Sequence, residues 1–223
     1  MAYWLACLII RGILLLTMRI RTKGLAATAR PGGYLLACSH VSHLDPFCLG
    51  GMLRRRVGWM ARVEFFRRRW AVALMRLAHA FPVNRQGVPV RAVRTALARL
   101  ERGEIVGMFP EGEIKAGNAS ALRGGRIKRG VCLLAARSGR PVLPCVILGA
   151  DKLNALEPWL PMLRGRLWVA CGEFIEPPSE SKSLSGPSRR AARAEMAARI
   201  EKALAALYAD LRREYGLDDT ILP

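Results

Sequence analysis

The sequence predicts an α/β protein with a mixed or mostly parallel sheet flanked by helices, and with an N-terminal membrane-interfacial helix. Short apolar segments alternate with amphipathic segments of helical period, a pattern typical of a sheet with helices packed on its faces. The 223 residues are 52% hydrophobic. A chain of this size and composition is expected to form one domain with a substantial core.

Changes in composition divide the chain into regions. Residues 1–24 are predicted to be the N-terminal membrane-associating helix, residues 25–178 the main domain, and residues 179–223 a linker followed by a helix. The linker is rich in serine, proline and glycine, as is typical of surface segments. The final helix has one apolar face, which predicts that it packs on the domain. That face comprises Met196, Ile200, Leu204, Leu207 and Leu211.

The N-terminal helix is predicted to lie in the membrane interface. Residues 3–18 are apolar except Arg11 and Thr17. A spanning helix needs about 20 apolar residues, and an arginine in its middle is unfavourable at the bilayer centre. A signal peptide would need a basic start and a cleavage site of small residues, and neither is present. An interfacial helix with the basic residues of 19–23 at the lipid headgroups is favoured, while a buried helix and a spanning helix remain alternatives.

The main domain is predicted to alternate strands and helices. A Gly-Gly turn precedes the first strand, Pro46 suits the first turn of a helix, and Gly103 suits a helix end. Because loops at the carboxyl ends of such strands form binding sites, the polar residues after Cys38, Pro82 and Phe109 are candidates for one site. The predicted strands are residues 32–40 with the Gly-Gly turn at their start, 57–62, 81–85 and 140–149. Residues 104–113 are predicted to be a strand that runs into a Pro-Glu-Gly turn, and residues 166–178 a last strand or hairpin. The predicted helices are residues 45–55, 63–80, 89–103 and 130–139.

The formal net charge of +19 predicts an anionic partner. Arginine triplets occur at 54–56 and 67–69, and Phe65, Phe66 and Trp70 flank the second. Arginine beside aromatic side chains suits a membrane interface, and it also suits nucleic acid, where rings stack on bases. An anionic membrane is favoured over nucleic acid because the N-terminus is apolar and the sequence contains no recognisable nucleic-acid-binding module.

Six cysteines are scattered along the chain, and none forms a C-x-x-C pair. Most of them occupy apolar segments, which predicts buried, reduced thiols rather than disulfides or zinc ligands. The cysteines are Cys7, Cys38, Cys48, Cys132, Cys145 and Cys171.

Residues 39–47, SHVSHLDPF, contain two of the three histidines and an aspartate. A metal site is not favoured because no fourth ligand has an obvious spacing. Ser42 and Asp45 match an S-x-x-D helix start, in which Asp45 caps the helix and the histidines are incidental. Alternatively, Asp45 contacts one ring nitrogen of His40 and leaves the other free as a base.

The spacing of His40 and Asp45 restricts how the two residues can meet. If both lay in one helix, they would point about 140° apart and could not touch. His40 must therefore lie in a loop folded back over the first turn of the following helix. Capping and catalysis are compatible because a carboxylate has two oxygens, so both interpretations stay open at this point. His43 would point elsewhere and is interpreted as structural.

Several motifs in a fixed order resemble a known family. They are SHVSHLDPF with its H-x4-D spacing, FPVNR at 81–85, FPEGEIK at 109–115 and PVLPCVI at 141–147. In this order they resemble the glycerolipid acyltransferases, of which the lysophosphatidic acid acyltransferases are the best known. The resemblance covers residues 20–175 or so. The H-x4-D pattern alone is weak, whereas the ordered set of motifs is specific.

The resemblance implies roles for individual residues. His40 would be the general base that deprotonates the acceptor hydroxyl, and Asp45 would orient His40 and stabilise its charge. Arg85 would bind an acceptor phosphate or the donor, which suits the planar fork of a guanidinium. Glu111 and Gly112 would line the acceptor site. Acyl-CoA or acyl-carrier protein would be the co-substrate, and the resemblance implies no metal or other cofactor.

One motif departs from the family's pattern. The family's FPEG motif usually continues with Thr-Arg-Ser, whereas this chain has Glu113, Ile114 and Lys115. The difference removes an expected phosphate contact and adds a repelling charge, and Lys115 would substitute as a point charge only in part. The acceptor is therefore expected to be 1-acylglycerol-3-phosphate or, as the alternative, a non-phosphate lysolipid such as a lyso-aminolipid.

The sequence thus predicts an O-acyltransferase of phospholipid biosynthesis, peripheral or monotopic on the cytoplasmic face of a membrane. Its partners would be a lysolipid, an acyl thioester and an anionic membrane surface, with acyl-carrier protein as one candidate donor. A serine hydrolase using Ser42 is not favoured because the sequence has no G-x-S-x-G elbow. A non-catalytic basic protein that binds membrane or nucleic acid is the remaining alternative.

Overall fold

The computed structural model describes residues 2–84, 89–150, 165–177 and 186–217. Within these residues, one sheet carries helices on both faces. The α-helices are α1 (Ala2–Thr17), α2 (Asp45–Met52), α3 (Arg69–Leu77), α4 (Val90–Glu101), α5 (Gly130–Ser138) and α6 (Gly186–Tyr215). The strands are β1 (Met18–Lys23), β2 (Tyr34–Cys38), β3 (Val57–Arg62), β4 (Phe81–Val83), β5 (Ile105–Met108), β6 (Val142–Leu148) and β7 (Gly165–Cys171).

The sheet has the strand order β1-β7-β6-β2-β5-β3-β4. Every neighbouring pair is parallel except β6 and β7, which are antiparallel. The strands from β6 to β4 in this order therefore run one way, and β7 and β1 run the other way. This mixed, mostly parallel sheet flanked by helices confirms the predicted fold class.

The inner strands are buried on both faces because successive side chains point to opposite sides. Leu35 and Ala37 of β2 pack in one core with α4, α5 and α6. Tyr34, Leu36 and Cys38 pack in a second core with α1 and α2. Parallel strands that are covered on both faces are continuously apolar, which explains why these segments were recognisable as buried strands.

Residues 18–23 differ from the expectation. They were predicted to be the basic end of the N-terminal helix, but α1 ends at Thr17 and they form the edge strand β1. β1 pairs in parallel with β7, with Met18 opposite Gly165. The alternation of Ile20 and Thr22 with basic residues suits an edge strand, whose outer side faces water. Its partner lies far away along the chain, so local composition alone did not indicate the strand.

Smaller differences concern element ends. The helix predicted at 63–80 is a 3-10 turn at Val63–Phe66 followed by the shorter α3. Residues 104–113 were predicted to be a strand that runs into a Pro-Glu-Gly turn. The strand ends at Met108 and the FPEG motif lies in the predicted turn. The last strand, β7, is followed by a single bridge between Ile175 and Val142. Among the described residues, no helix has both the length and the hydropathy that crossing a membrane requires.

The C-terminal helix α6 packs on the sheet through its predicted apolar face. Met196, Ile200, Leu204 and Leu211 are buried, and Leu207 is partly buried against the same core. Glu201 on α6 also accepts a hydrogen bond from the backbone N–H of Ile127, at 2.9 Å. The helix therefore stabilises both the core and a loop next to the site described below.

Substitution of Ile200 by alanine is expected to lower the free energy of unfolding by about 2–5 kcal/mol, because it leaves a cavity beside α5 and the sheet. The neighbouring Lys202 is exposed, so Lys202→Ala is the matched control and is expected to change stability by less than about 0.5 kcal/mol. Urea unfolding followed by tryptophan fluorescence measures both. Equal stability of the two variants would show that α6 is not part of the cooperative core.

Candidate active site

The candidate site forms at the carboxyl edge of the parallel strands. His40 lies in the loop that leaves β2, and Asp45 begins α2. Glu111 lies in the turn that leaves β5. Because β2 and β5 are neighbours, with Ala37 opposite Met108, these two loops lie side by side. The topology thus brings together two motifs that are separated in sequence.

His40 and Asp45 form the contact that their spacing predicted. His40 Nδ1 lies 2.8 Å from Asp45 Oδ2, in a loop folded back over the first turn of α2. The Asp45 side chain is fully buried, and the His40 side chain is 15% exposed. An ionised carboxylate only accepts hydrogen bonds, so Nδ1 is the donor in this contact, and in a neutral imidazole the lone pair is then on Nε2. Among the described residues, none hydrogen bonds to Nε2.

The same carboxylate oxygen also organises the loop. Asp45 Oδ2 accepts the backbone N–H groups of Val41, at 2.8 Å, and Ser42, at 2.9 Å. Ser42 Oγ in turn accepts the N–H of Leu44 at 3.1 Å. The structure therefore has the His40 contact, but Asp45 does not cap α2. The helix begins at Asp45 without a side-chain cap, and the carboxylate accepts N–H groups of the preceding loop instead. Burial raises the pKa of Asp45, although the hydrogen bonds from His40, Ser42 and Val41 act in the opposite direction.

Aromatic rings fix the His40 imidazole. The ring of Phe109 stacks on it with centroids 4.1 Å apart and an angle of 18° between the planes. The Trp59 ring in turn stacks on Phe109, with centroids 5.1 Å apart. His43 meets His40 edge-on, with ring centroids 6.3 Å apart, and its side chain is exposed. Sequence reasoning did not identify Phe109 or Trp59, although Phe109 begins the FPEG motif.

The Glu111 carboxylate binds the backbone of the loop that contains His40. It is fully buried, and its Oε2 accepts the N–H of His40 at 3.3 Å. Its Oε1 accepts Ser120 Oγ at 3.0 Å and the N–H of Ala121. The sequence analysis expected Glu111 to line the acceptor site. The structure instead places it among buried donors, where it ties the His40 loop to residues 120–121.

Lys128 places a positive charge beside the predicted site residue Gly112, and sequence reasoning did not identify this lysine. Gly112 has φ of +79°, and a Cβ there would lie 2.6 Å from Lys128 Nζ. Lys128 is exposed, and its backbone N–H donates to the Pro110 carbonyl at 2.8 Å. The ammonium therefore lies over the FPEG turn, which only a residue without a side chain permits at this φ. The RIKRG sequence at 126–130 was the available signal.

The remaining predicted site residues have different outcomes. Arg85 lies outside the described residues. Glu113 is exposed, whereas Ile114 and Lys115 are half-buried. Lys115 follows the FPEG turn, on the same connection between β5 and α5 as Lys128.

The cysteines are free thiols. Cys38, Cys145 and Cys171 lie opposite one another on β2, β6 and β7. Burial raises the pKa of Cys48 to about 12, so this thiol next to Asp45 in the helix is protonated at neutral pH. Within the described ranges, no group of histidine, cysteine, aspartate and glutamate side chains is arranged to hold a metal ion.

Known proteins resemble this chain in sequence and in fold. The model of the Acyltransferase family matches residues 19–148. The 1-acyl-sn-glycerol-3-phosphate acyltransferase of Bacillus subtilis is 31% identical over 142 residues, which are 63% of this chain and 66% of that protein, just under two thirds of its length. The crystal structure of PlsC, the 1-acyl-sn-glycerophosphate acyltransferase of Thermotoga maritima, superposes with a TM-score of 0.59 at 18% identity, covering 90% of this chain and 79% of that one. At this identity, the superposition supports the fold alone.

Two substitutions at Asp45 distinguish how its charge and its hydrogen bonds each affect the free energy of unfolding. Because folding raises the pKa of Asp45, the folded state binds the proton more tightly than the unfolded state does. The free energy of unfolding therefore falls as the pH rises from the ordinary pKa of an aspartate through the raised pKa of the folded protein. Asp45→Asn keeps an acceptor oxygen and removes the buried charge, so we expect stability at pH 7 to be unchanged or higher.

The matched variant is Asp45→Ala, which leaves the N–H groups of Val41 and Ser42 without their acceptor. We expect it to lower the free energy of unfolding by about 1–3 kcal/mol. Denaturant unfolding at pH 7 compares the variants. An alanine variant as stable as the asparagine variant would contradict the organising role of this carboxylate.

Proposed function

This chain belongs to the acyltransferase family, and we propose that it transfers a fatty acyl group from an acyl thioester to the free hydroxyl of a lysolipid in phospholipid biosynthesis. The favoured acceptor is 1-acylglycerol-3-phosphate, as in the name of the Bacillus subtilis relative. Acyl-CoA or acyl-carrier protein is the donor. The observation that supports this activity best is the 2.8 Å contact between His40 Nδ1 and the buried Asp45 carboxylate. It leaves Nε2 as a base at the edge of the sheet.

His40 acts as the general base in this proposal. Nε2 takes the proton of the acceptor hydroxyl while the oxygen attacks the thioester carbonyl. The new C–O bond forms, the C–S bond breaks, and the departing thiolate receives the proton from the imidazolium. Asp45 stabilises the imidazolium and keeps its orientation, and the stacked Phe109 restricts the ring. The acyl group passes directly between substrates, so positioning of both contributes much of the rate.

Lysine side chains at the FPEG turn are proposed to bind the acceptor phosphate. Lys128 Nζ lies over Gly112, and the turn that contains Gly112 is tied to the His40 loop through Glu111. Lys115 lies on the same connection between β5 and α5. These ammonium groups would replace the arginine that the family motif has where this chain has Ile114. Arg85 is a further candidate for this phosphate.

An apolar groove of about 60 Å³ on the α1 side of the site is proposed to contact part of the acyl chain. It lies between α1, α2 and α3, and it reaches Pro46 and Phe47, directly after Asp45. Trp59 also lines the groove and stacks on Phe109, which stacks on His40. An acyl chain in this groove would place its thioester end toward the base. Other lining residues are Tyr3, Ala6, Cys7, Ile10, Gly50, Leu74, Leu77 and Ala78.

The exposed faces of α1 and α3 are proposed to bind the membrane surface, with the protein peripheral or monotopic on the cytoplasmic face. α1 exposes a series of large apolar side chains, and contiguous exposed apolar surface marks an interaction site. α3 adds Trp70, which is 66% exposed, beside the arginines of 67–69. Tryptophan and arginine together suit the headgroup region. The exposed α1 residues are Trp4, Leu5, Leu8, Ile9, Ile13, Leu15 and Leu16.

A lysolipid without phosphate is the second candidate acceptor. It is favoured by Glu113, which is exposed directly after the FPEG turn, and by Ile114, which cannot bind phosphate. A carboxylate at this place would repel a phosphate and attract the amine of a lyso-aminolipid. The acceptor comparison below distinguishes the two classes.

Removal of the base is expected to lower the rate of acyl transfer. His40→Ala should reduce kcat by about 10²–10⁴-fold, the usual contribution of a positioned general base. Transfer of radiolabelled palmitate from palmitoyl-CoA, and separately from palmitoyl-acyl-carrier protein, to lysolipids measures it. His43→Ala is the matched control because His43 is exposed and should retain activity. Equal activity of His40→Ala and wild type would favour a binding protein or a different base.

Removal of the Lys128 ammonium is expected to weaken phosphate binding. Lys128→Met should raise KM for 1-acylglycerol-3-phosphate about tenfold or more, since a hydrogen bond to a charged group contributes about 1.5–3 kcal/mol. The same variant should leave KM for monoacylglycerol, which has no phosphate, unchanged. Arg126→Met, two residues earlier on the exposed segment, is the matched control. A preference of the wild type for a lyso-aminolipid would instead favour the second candidate acceptor.

A further inference from the structure

A second cleft, of about 340 Å³, lies at the amino ends of β3 and β5. It is at the opposite edge of the sheet from His40. Strand β3 has six residues, so the two edges are roughly 15–20 Å apart. A molecule in this cleft therefore does not present its hydroxyl to His40. The lining residues are Trp4, Arg54, Arg55, Arg56, His79, Gly103 and Glu104.

The central arginine of the triplet fixes the backbone of the cleft. The Arg55 guanidinium donates to the carbonyl oxygens of Gly32, at 2.8 Å, and Gly103, at 2.6 Å. It thereby joins the loops that precede β2, β3 and β5. The backbone N–H of Arg54 donates to Thr28 Oγ1 at 3.3 Å. Arg54 and Arg56 therefore lie on a loop whose backbone is held by hydrogen bonds.

Those flanking arginines have their charges available. Arg54 and Arg56 are exposed, and among the described residues neither guanidinium has a hydrogen-bonding or ion-pair partner. Arg56 lies over the Tyr3 ring at 5.7 Å, a contact that leaves its N–H groups free. Two unpaired guanidinium groups that line one cleft, two positions apart in the sequence, can together bind the oxygens of one phosphate.

The carboxylate that lines the cleft does not cancel this charge. Glu104 accepts hydrogen bonds from Arg102, at 2.9 Å, and from His79, at 3.4 Å. Arg99 lies 3.9 Å from the same carboxylate. Partial burial acts to raise the pKa of Glu104, but the hydrogen bonds from Arg102 and His79 outweigh it and lower the pKa. The cleft therefore retains an excess of positive charge.

One rim of the cleft continues into an apolar surface. Trp4 is 51% exposed at this rim, in the first turn of α1. The outer face of α1 then continues with the exposed side chains of Leu5, Leu8 and Ile9. A ligand with a phosphate and apolar chains could place the phosphate at the arginines and the chains along α1. A soluble phosphate compound would not contact the apolar side chains of α1.

We propose that the cleft between Trp4, Arg54 and Arg56 binds the phosphate of an anionic phospholipid in the bilayer surface, at a site separate from the one that holds the reacting acceptor. The bound lipid would hold the amino edge of the sheet at the membrane, with the exposed face of α1 on the bilayer. Binding here depends on the proposed membrane association but not on acyl transfer.

The test compares two double variants that remove the same charge. Arg54→Gln/Arg56→Gln removes the free guanidinium groups of the cleft. Arg91→Gln/Arg94→Gln removes two exposed arginines of α4, on the opposite face of the sheet. Co-sedimentation of the full chain with phosphatidylcholine vesicles containing phosphatidylglycerol measures binding. The cleft variant is expected to bind about tenfold or more weakly than wild type, and the α4 variant close to wild type.

Equal weakening by both double variants would overturn the proposal, because it would show diffuse charge attraction rather than a site. Inorganic phosphate, compared with chloride at equal ionic strength, is the probe for a soluble anion. Saturable quenching of tryptophan fluorescence by phosphate alone, abolished in Trp4→Phe and without a vesicle difference between the double variants, would also overturn it. His40→Ala should bind vesicles like wild type, so a failure of the proposed acyl transfer is distinguishable from a failure of this site.

Discussion

The hydrogen bonds to one oxygen of the buried Asp45 carboxylate determine the geometry on which the proposed chemistry depends. Asp45 Oδ2 accepts from His40 Nδ1 and from the N–H groups of Val41 and Ser42. The loop therefore cannot change its backbone conformation without moving the imidazole. Burial destabilises the ionised carboxylate and so raises the pKa of Asp45. A charge kept at such a position is typical of active sites, where groups are oriented at some loss of stability.

The sheet supplies the second constraint, because it brings the FPEG turn to the His40 loop. β2 and β5 are adjacent and parallel, so Glu111 reaches the N–H of His40 across the edge. The same carboxylate binds residues 120–121, and α6 contacts the next stretch through Glu201. The loop with Lys128 is thus attached to the His40 loop through hydrogen bonds of the buried Glu111. Loops that are fixed in this way can present a phosphate contact and a proton acceptor to one substrate.

Features that follow local rules were predictable from the sequence, and features that depend on distant partners were not. The apolar segments of β2 and β6 and the H-x4-D loop follow from burial and spacing, and the contact of His40 with Asp45 was expected. Strand β1 was missed because its partner β7 lies far along the chain and because MRIRTK resembles the basic end of a helix. The position of Lys128 over Gly112 depends on the hydrogen bond that the Lys128 N–H donates to the Pro110 carbonyl. The buried place of Glu111 likewise depends on Ser120, which no motif indicates.

The most direct test of the account is chemical rescue of the missing base. Acyl transfer to 1-acylglycerol-3-phosphate would be measured for His40→Ala with and without added imidazole, against wild type. If Nε2 of His40 accepts the proton of the acceptor hydroxyl, the variant is nearly inactive alone, and imidazole restores part of the rate as it occupies the space between Phe109 and Asp45. A His40→Ala protein that transfers acyl groups at the wild-type rate without imidazole would contradict the account.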